Sequence, residues 1–264
     1  MGDMRKTARV CGVLLAGWML AGAAHSAGVR TDRASLPRKI LWVWERPEDL
    51  RGLPGGVGLA VLEATVRLGA GGVRVVPRRQ PVVLPVGAVR VRVVRIEAAA
   101  AFLAHPEDRA LTERASEQVG ELIAEVGQEA GTAAVQIDFD ARRSEREFYR
   151  RLLTRARKRM PEAVPLTMTA LVSWCSADDW LGSLPVAEAT PMFFRMEPDR
   201  RRLVASGDEP EFRVREPLCM GSVGVSTGEP WPGGLAGKRV YVFAENGWAR
   251  ELKNLSRPGV GDGR

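Results

Sequence analysis

The chain is poor in the residues that build metal centres and covalent frameworks. Two histidines and three cysteines in 264 residues exclude zinc fingers, histidine-rich metal clusters and a disulfide scaffold. No metal or other cofactor is therefore expected. Tyrosine is scarcer than tryptophan, two against seven. Long apolar runs are missing too. The longest, residues 10–24, falls short of the roughly 20 residues needed to span a bilayer. The formal charge is +7, yet there is no basic stripe with interleaved aromatics and no recognisable nucleic-acid module, so no nucleic-acid partner is expected. No repeat of fixed period is visible.

What is present is a globular composition, 45% hydrophobic and 27% charged. A domain of this length buries enough surface to fold without metal. The N-terminus has the three parts of a secretory signal: Arg5, Lys6 and Arg9, then the apolar run, then Ala23-Ala24-His25-Ser26-Ala27. The expected organisation is a cleaved signal over residues 1–26, a polar lead over 27–39, one domain over 40–250 and a flexible tail over 251–264. Such a protein is exported, periplasmic or extracellular, with no membrane span in the mature chain. Cleavage would remove Cys11 and leave Cys175 and Cys219, either as one disulfide or as two buried thiols.

Apolar runs recur along the domain. Strands are predicted over residues 40–44, 59–68, 89–96, 135–139, 166–172, 189–195, 220–225 and 239–244. The glycine cluster at 69–72 predicts a turn with a hairpin partner over 73–76. Pro106 opens a helix whose stripe is Leu111, Ala115, Val119, Leu122 and Val126, and Gly131 ends it. Ser144-Glu145-Arg146-Glu147 reads as a capping box before a second helix carrying Phe148, Leu152, Ala156 and Met160. The basic run on its other face reads as a solvated surface. A short helix is expected over 178–184, and residues 197–217 read as irregular. Strands alternating with helices favour an α/β fold, a mostly parallel sheet closed as a (β/α)8 TIM-like barrel. The crossovers after the first two strands are too short for full helices, so the barrel is expected to be irregular.

The sharpest chemistry lies in Gln136-Ile137-Asp138-Phe139-Asp140. Strand alternation puts Gln136, Asp138 and Asp140 on one face, toward the barrel interior and its mouth. Two neighbouring carboxylates there raise each other's pKa, which is how acid–base chemistry is set up. Glu45, Glu97 and Glu245 end other strands and face the same mouth, so Glu97 or Glu245 is a candidate proton donor opposite the aspartates. Gln136, Trp44, Glu45, Trp174 and Arg195 are candidate pocket residues. Trp42, Trp44, Trp174, Trp180, Trp231 and Trp248 fall at strand ends or in loops, where indoles stack on sugar rings or simply pack. The competing reading ties the acids to Arg195, Arg95 or Arg142 as a structural network. Gly224-Val225-Ser226-Thr227-Gly228 spells G-x-S-x-G, but no helix can follow it at Pro230 and Pro232, so it is no nucleophile elbow.

Several motifs occur in order: Gln136-Ile137-Asp138-Phe139-Asp140-Ala141, Phe148-Tyr149, Thr167-Met168-Thr169-Ala170-Leu171, Ser173-Trp174-Cys175, Pro191-Met192-Phe193-Phe194-Arg195-Met196 and Gly224-Val225-Ser226-Thr227. Together they resemble the bacterial family known as domain of unknown function 3142, over roughly residues 40–250. The resemblance implies an exported protein with a barrel related to glycoside hydrolases, and no established activity. More distantly, the fourth strand is similar to chitinase-like barrels, whose pattern there is D-x-x-D-x-D-x-E. Asp138 and Asp140 match its central pair. Val135 and Arg142 stand at its first and last positions, so the catalytic Glu of that pattern is absent. Two functions follow as expectations: a glycoside-hydrolase-like protein acting on or binding glycans or peptidoglycan, or a non-catalytic envelope binding or structural protein on the same barrel.

Overall fold

The computed structural model describes residues 36–102, 109–194 and 214–255. The expected signal segment, His105, Arg195 and most of the 197–217 stretch expected to be irregular lie outside the described residues.

Eleven strands are described: β1 (Lys39–Val43), β2 (Glu48–Asp49), β3 (Val57–Gly69), β4 (Gly72–Pro77), β5 (Val82–Val83), β6 (Arg90–Ala98), β7 (Thr132–Asp138), β8 (Leu166–Leu171), β9 (Glu188–Met192), β10 (Ser222–Ser226) and β11 (Arg239–Phe243). The helices are α1 (Arg109–Gln128), α2 (Arg146–Arg159), α3 (Val172–Ser176) and α4 (Trp248–Leu255). Eight parallel strands close a barrel in the order β1, β3, β6, β7, β8, β9, β10, β11 and back to β1. The fold is an irregular α/β barrel of TIM type. The eight strands are the eight expected from the apolar runs.

The alternation of each strand separates two environments. Inside, Ile40, Trp42, Leu62, Val93, Tyr241 and Phe243 form an apolar cluster. Outside, Val94, Val135, Ile137 and Met168 pack under α1 and α2, against Val119, Ile123, Phe148 and Leu152. A second outer cluster, with Leu41, Leu59, Val223 and Trp248, covers the other flank.

The irregularity is where the short crossovers predicted it. After β1 and β3 the chain forms no helix. β2 and β5 pair with each other as a two-stranded ribbon instead. β3 is long enough to serve two partners on one edge. Its first half pairs with β1, and Ala64–Gly69 pairs with the hairpin strand β4. The far end of β6 follows this upper half, from Arg95 against Thr65 to Ala98 against Leu68. A three-stranded lip thus rises above the rim beside β7.

Helices α1 and α2 touch closely. A side-chain carbon added at Gly120 would sit 2.9 Å from Arg155 Cβ. The basic face of α2 is partly exposed, and three of its arginines also reach α1: Arg151 and Arg155 pair with Glu113, and Arg159 with Glu117 and Glu121. Residues 178–184 form turns, and the short helix at this point is α3, one step earlier. At the C-terminus α4 runs past residue 250, into the stretch expected as a loose tail. It is anchored from far away, since the Glu48 carboxylate accepts from Trp248 N at 3.0 Å and Ala249 N at 3.3 Å. Cys175 and Cys219 form a disulfide with a Cα–Cα distance of 5.9 Å. No helix among the described residues is long and apolar enough to cross a membrane.

Candidate functional site

The acidic strand ends where the lip begins. β7 stops at Asp138, and its neighbour β6 carries Arg95 directly beside it in register. Above them opens a cleft of about 190 Å³. Its polar wall is Arg95, Glu97, Asp138, Asp140, Arg142 and Glu145.

Asp138 is the most constrained group. One carboxylate oxygen accepts from Arg95 Nη1 at 3.0 Å, and the other accepts from Thr169 Oγ1 at 2.9 Å. Its side chain is only 12% exposed. Burial, with the neighbouring Asp140 charge adding to it, pushes the Asp138 carboxyl up to about 6, against the opposing pull of Arg95 and Thr169. Asp140 lies two residues on, beyond the strand end, and reaches solvent. The atoms hemming in its carboxyl raise its pKa as well, and Arg95 opposes this. On the cleft's other side, Glu145 accepts from Arg142 N at 2.5 Å and closes the turn that starts α2. Its pKa is raised by burial, opposed by that N–H and by the Arg142 charge.

Arg95 organises the site. Its guanidinium reaches Asp138 and Glu97, and it lies 5.3 Å over the ring of Trp44. Trp44 belongs to the inner aromatic cluster with Trp42 and Phe243. One cation therefore links the acids of β6 and β7 to an aromatic wall on β1's end.

Beneath Asp138 the inner face of β7 continues with Gln136, fully buried. Its Nε2 donates to Thr190 Oγ1 at 3.3 Å, Thr190 bonds Ser222 at 3.1 Å, and Gln136 Oε1 has no partner among the described residues. Tyr149 is buried against Phe139, with ring centroids 5.1 Å apart, and its hydroxyl is likewise unpartnered among the described residues. Burial raises the Tyr149 phenol well above its ordinary value, and Asp138 and Asp140 add to this.

Comparison with family models, curated proteins and solved structures finds no match.

Among the expected acids, Asp138, Asp140 and Glu97 come together in the cleft. Glu97 is exposed and shared between Arg67 at 3.3 Å and Arg95 at 3.2 Å. Glu245 lies two residues past the end of β11, four strands from β7 around the barrel, and does not line the cleft. Glu45 caps a loop, accepting from Arg79 N at 2.9 Å and Gln80 N at 2.8 Å. Trp174 is buried in the outer core, edge-on to Trp180 with centroids 5.0 Å apart, because α3 turns it away from the barrel interior. Arg195 lies outside the described residues. Of the indoles at strand ends, Trp42, Trp174, Trp180 and Trp248 are buried, whereas Trp44 is half-buried and Trp231 is 45% exposed. Among the described residues no group of three or more His, Cys, Asp or Glu is placed to hold a metal ion.

Thr169 and Glu145 are the site residues that sequence reasoning missed. Thr169 had a signal: Thr167 and Thr169 alternate on β8 as Gln136 and Asp138 do on β7, so all four share the inner face. Glu145 was visible only as part of a helix start.

Proposed function

We propose that this chain is an exported protein that acts on glycans at the cleft, with Asp138 as the proton-holding acid and Asp140 as its carboxylate partner. The observation that carries this reading is Asp138 itself, a carboxyl with a pKa near 6 at the rim of a barrel and in the wall of an open cleft. A carboxylic acid held partly protonated near neutrality, beside a second carboxyl, is the pairing that glycosidic bond cleavage uses. Glu97 is held by two guanidiniums, and Glu245 lies across the mouth. The donor role therefore passes from them to Asp138. The Arg95-stacked Trp44 supplies an aromatic surface beside the acids. The TIM-like barrel is a scaffold compatible with this assignment, and the Cys175–Cys219 disulfide agrees with an oxidising, periplasmic or extracellular location.

The test is turnover of a panel of polysaccharides and aryl glycosides by the wild type, Asp138→Asn and Asp140→Asn. Loss of a general acid lowers kcat by about 10²–10⁴. The wild-type rate should fall as pH rises through about 6, because Asp138 must carry its proton to donate it. Full activity in Asp138→Asn sinks the mechanism.

A second reading is favoured by one specific observation. Both Asp138 oxygens already accept hydrogen bonds from the protein, and Arg142 occupies the cleft wall. On that reading the barrel binds a glycan without cleaving it. Calorimetric binding without turnover on the same panel selects this alternative.

A further inference from the structure

The lip beside the cleft carries a charge arrangement that the acid site does not use. Arg67 on β3 and Arg74 on β4 are directly opposite in antiparallel register, so their side chains leave the same face of the lip. Both are exposed. Like charges in this relation destabilise a strand pair. Nothing on β4 relieves it, and Arg74 has no carboxylate partner among the described residues. Arg67 shares the single carboxylate of Glu97 with Arg95. Of the three guanidiniums on this face, Arg67 and Arg95 share one glutamate, and Arg74 has no carboxylate among the described residues.

The register shows where the face leads. Arg67 stands beside Glu97, and Arg95 beside Asp138. The path from Arg74 through Arg67 and Glu97 to Asp138 crosses β4, β3, β6 and β7 and drops two residues along β6, so Arg74 lies about 16 Å from Asp138, at ~4.8 Å per strand and ~3.3 Å per residue. That is the reach of a short oligosaccharide laid across the lip from the acid site. A paired-arginine fork suits a planar or tetrahedral oxyanion, which both residues can bind bidentately.

We propose that Arg67 and Arg74 form an oxyanion seat at the outer end of the cleft, and that the glycan received there is acidic, bearing carboxylate or sulfate groups. This rests on the glycan reading of the cleft and narrows its ligand class. An anion held between the two guanidiniums would relieve their unfavourable opposition.

The experiment is calorimetric titration of the exported chain at low ionic strength, using matched pairs of glycans. Oligogalacturonates are set against their carboxyl-reduced forms, and sulfated polysaccharide fragments against their desulfated forms. The acidic member of a pair should bind at least tenfold tighter, which is about 1.4 kcal/mol. Arg74→Gln should erase that preference and leave the neutral member's affinity unchanged. Arg114→Gln, which removes an exposed charge from α1, should preserve the preference and so separates a seat from net charge. Whether the carboxylated or the sulfated pair shows the larger difference identifies the oxyanion. Equal binding of acidic and neutral members overturns the proposal and leaves the glycan reading standing. A preference that survives Arg74→Gln overturns the seat. Binding of no glycan of either kind overturns both readings.

Discussion

A carboxylate withdrawn from water must be compensated or it keeps its proton, and Asp138 is compensated only in part. Arg95 and Thr169 occupy its oxygens, yet burial still moves its pKa from the ordinary 3.8 to about 6. The native state therefore holds this proton more tightly than the unfolded chain does. Asp138 does not weaken the fold below pH 3.8; its ionisation costs stability as pH rises from there to 6, and the cost levels off above. A shift of that size corresponds to about 3 kcal/mol. Asp138→Asn mimics the protonated acid, so it should stabilise the protein by about 1–3 kcal/mol at pH 8 and change little at pH 3.5. Urea unfolding at the two pH values checks this. An equal effect at both would mean that ionisation is not what the fold resists. The same residue was legible in the sequence, because alternation alone put Gln136 and Asp138 on the inner face. Its hold on Arg95 was only one of several open pairings, since a partner 43 residues away leaves no local trace.

Elements were legible where their period was self-contained. Each barrel strand is a short apolar run, and α1 and α2 carry clean stripes, so all of them could be placed from neighbouring residues. The elements that escaped notice are held from a distance. β2 and β5 have two residues each and exist only because they pair with each other. α4 begins on the carboxylate of Glu48, which sits 200 residues earlier than Trp248. The link between α3 and the turn at Pro217–Cys219 is also held from a distance, although the sequence had already offered its disulfide as one of two readings of Cys175 and Cys219. Cys175 O accepts from Arg215 N at 2.9 Å and Glu216 N at 3.1 Å, and the disulfide closes a separation of 44 residues. Closing a loop of that length restricts the unfolded chain by about 4 kcal/mol in the chain-entropy account. Replacing both cysteines with alanine should lower the unfolding free energy by that order, with the cleft acids untouched. Denaturant titration of the double variant measures it. A loss under 1 kcal/mol would show that the strand and turn contacts hold this segment without the bond.

At the scale of the whole molecule the barrel has a wet end and a sealed end, and each is polar for a different reason. The mouth is charged and open. The floor is charged and closed: Glu188 on β9 is 1% exposed, is paired with Arg239 on β11, and accepts from the Tyr241 hydroxyl at 3.2 Å. Arg239 also donates to Pro37 O at 3.2 Å and Leu36 O at 3.4 Å, which draws the chain entering β1 across the base. One guanidinium thus ties together three barrel strands, including the β1–β11 seam where the first and last strands meet. None of this was readable from sequence, because Glu188 and Arg239 are ordinary surface residue types until the ring closes over them. Removing one partner of a buried pair strands the other charge and costs about 3–5 kcal/mol, whereas removing both costs far less than the sum. Arg239→Met alone and Glu188→Gln alone should therefore each be strongly destabilising, and the double variant should recover much of the loss. A double-mutant cycle in urea gives the coupling directly. Additive losses would mean that the two charges are solvated separately, and the floor would then be held by the strand ladder alone.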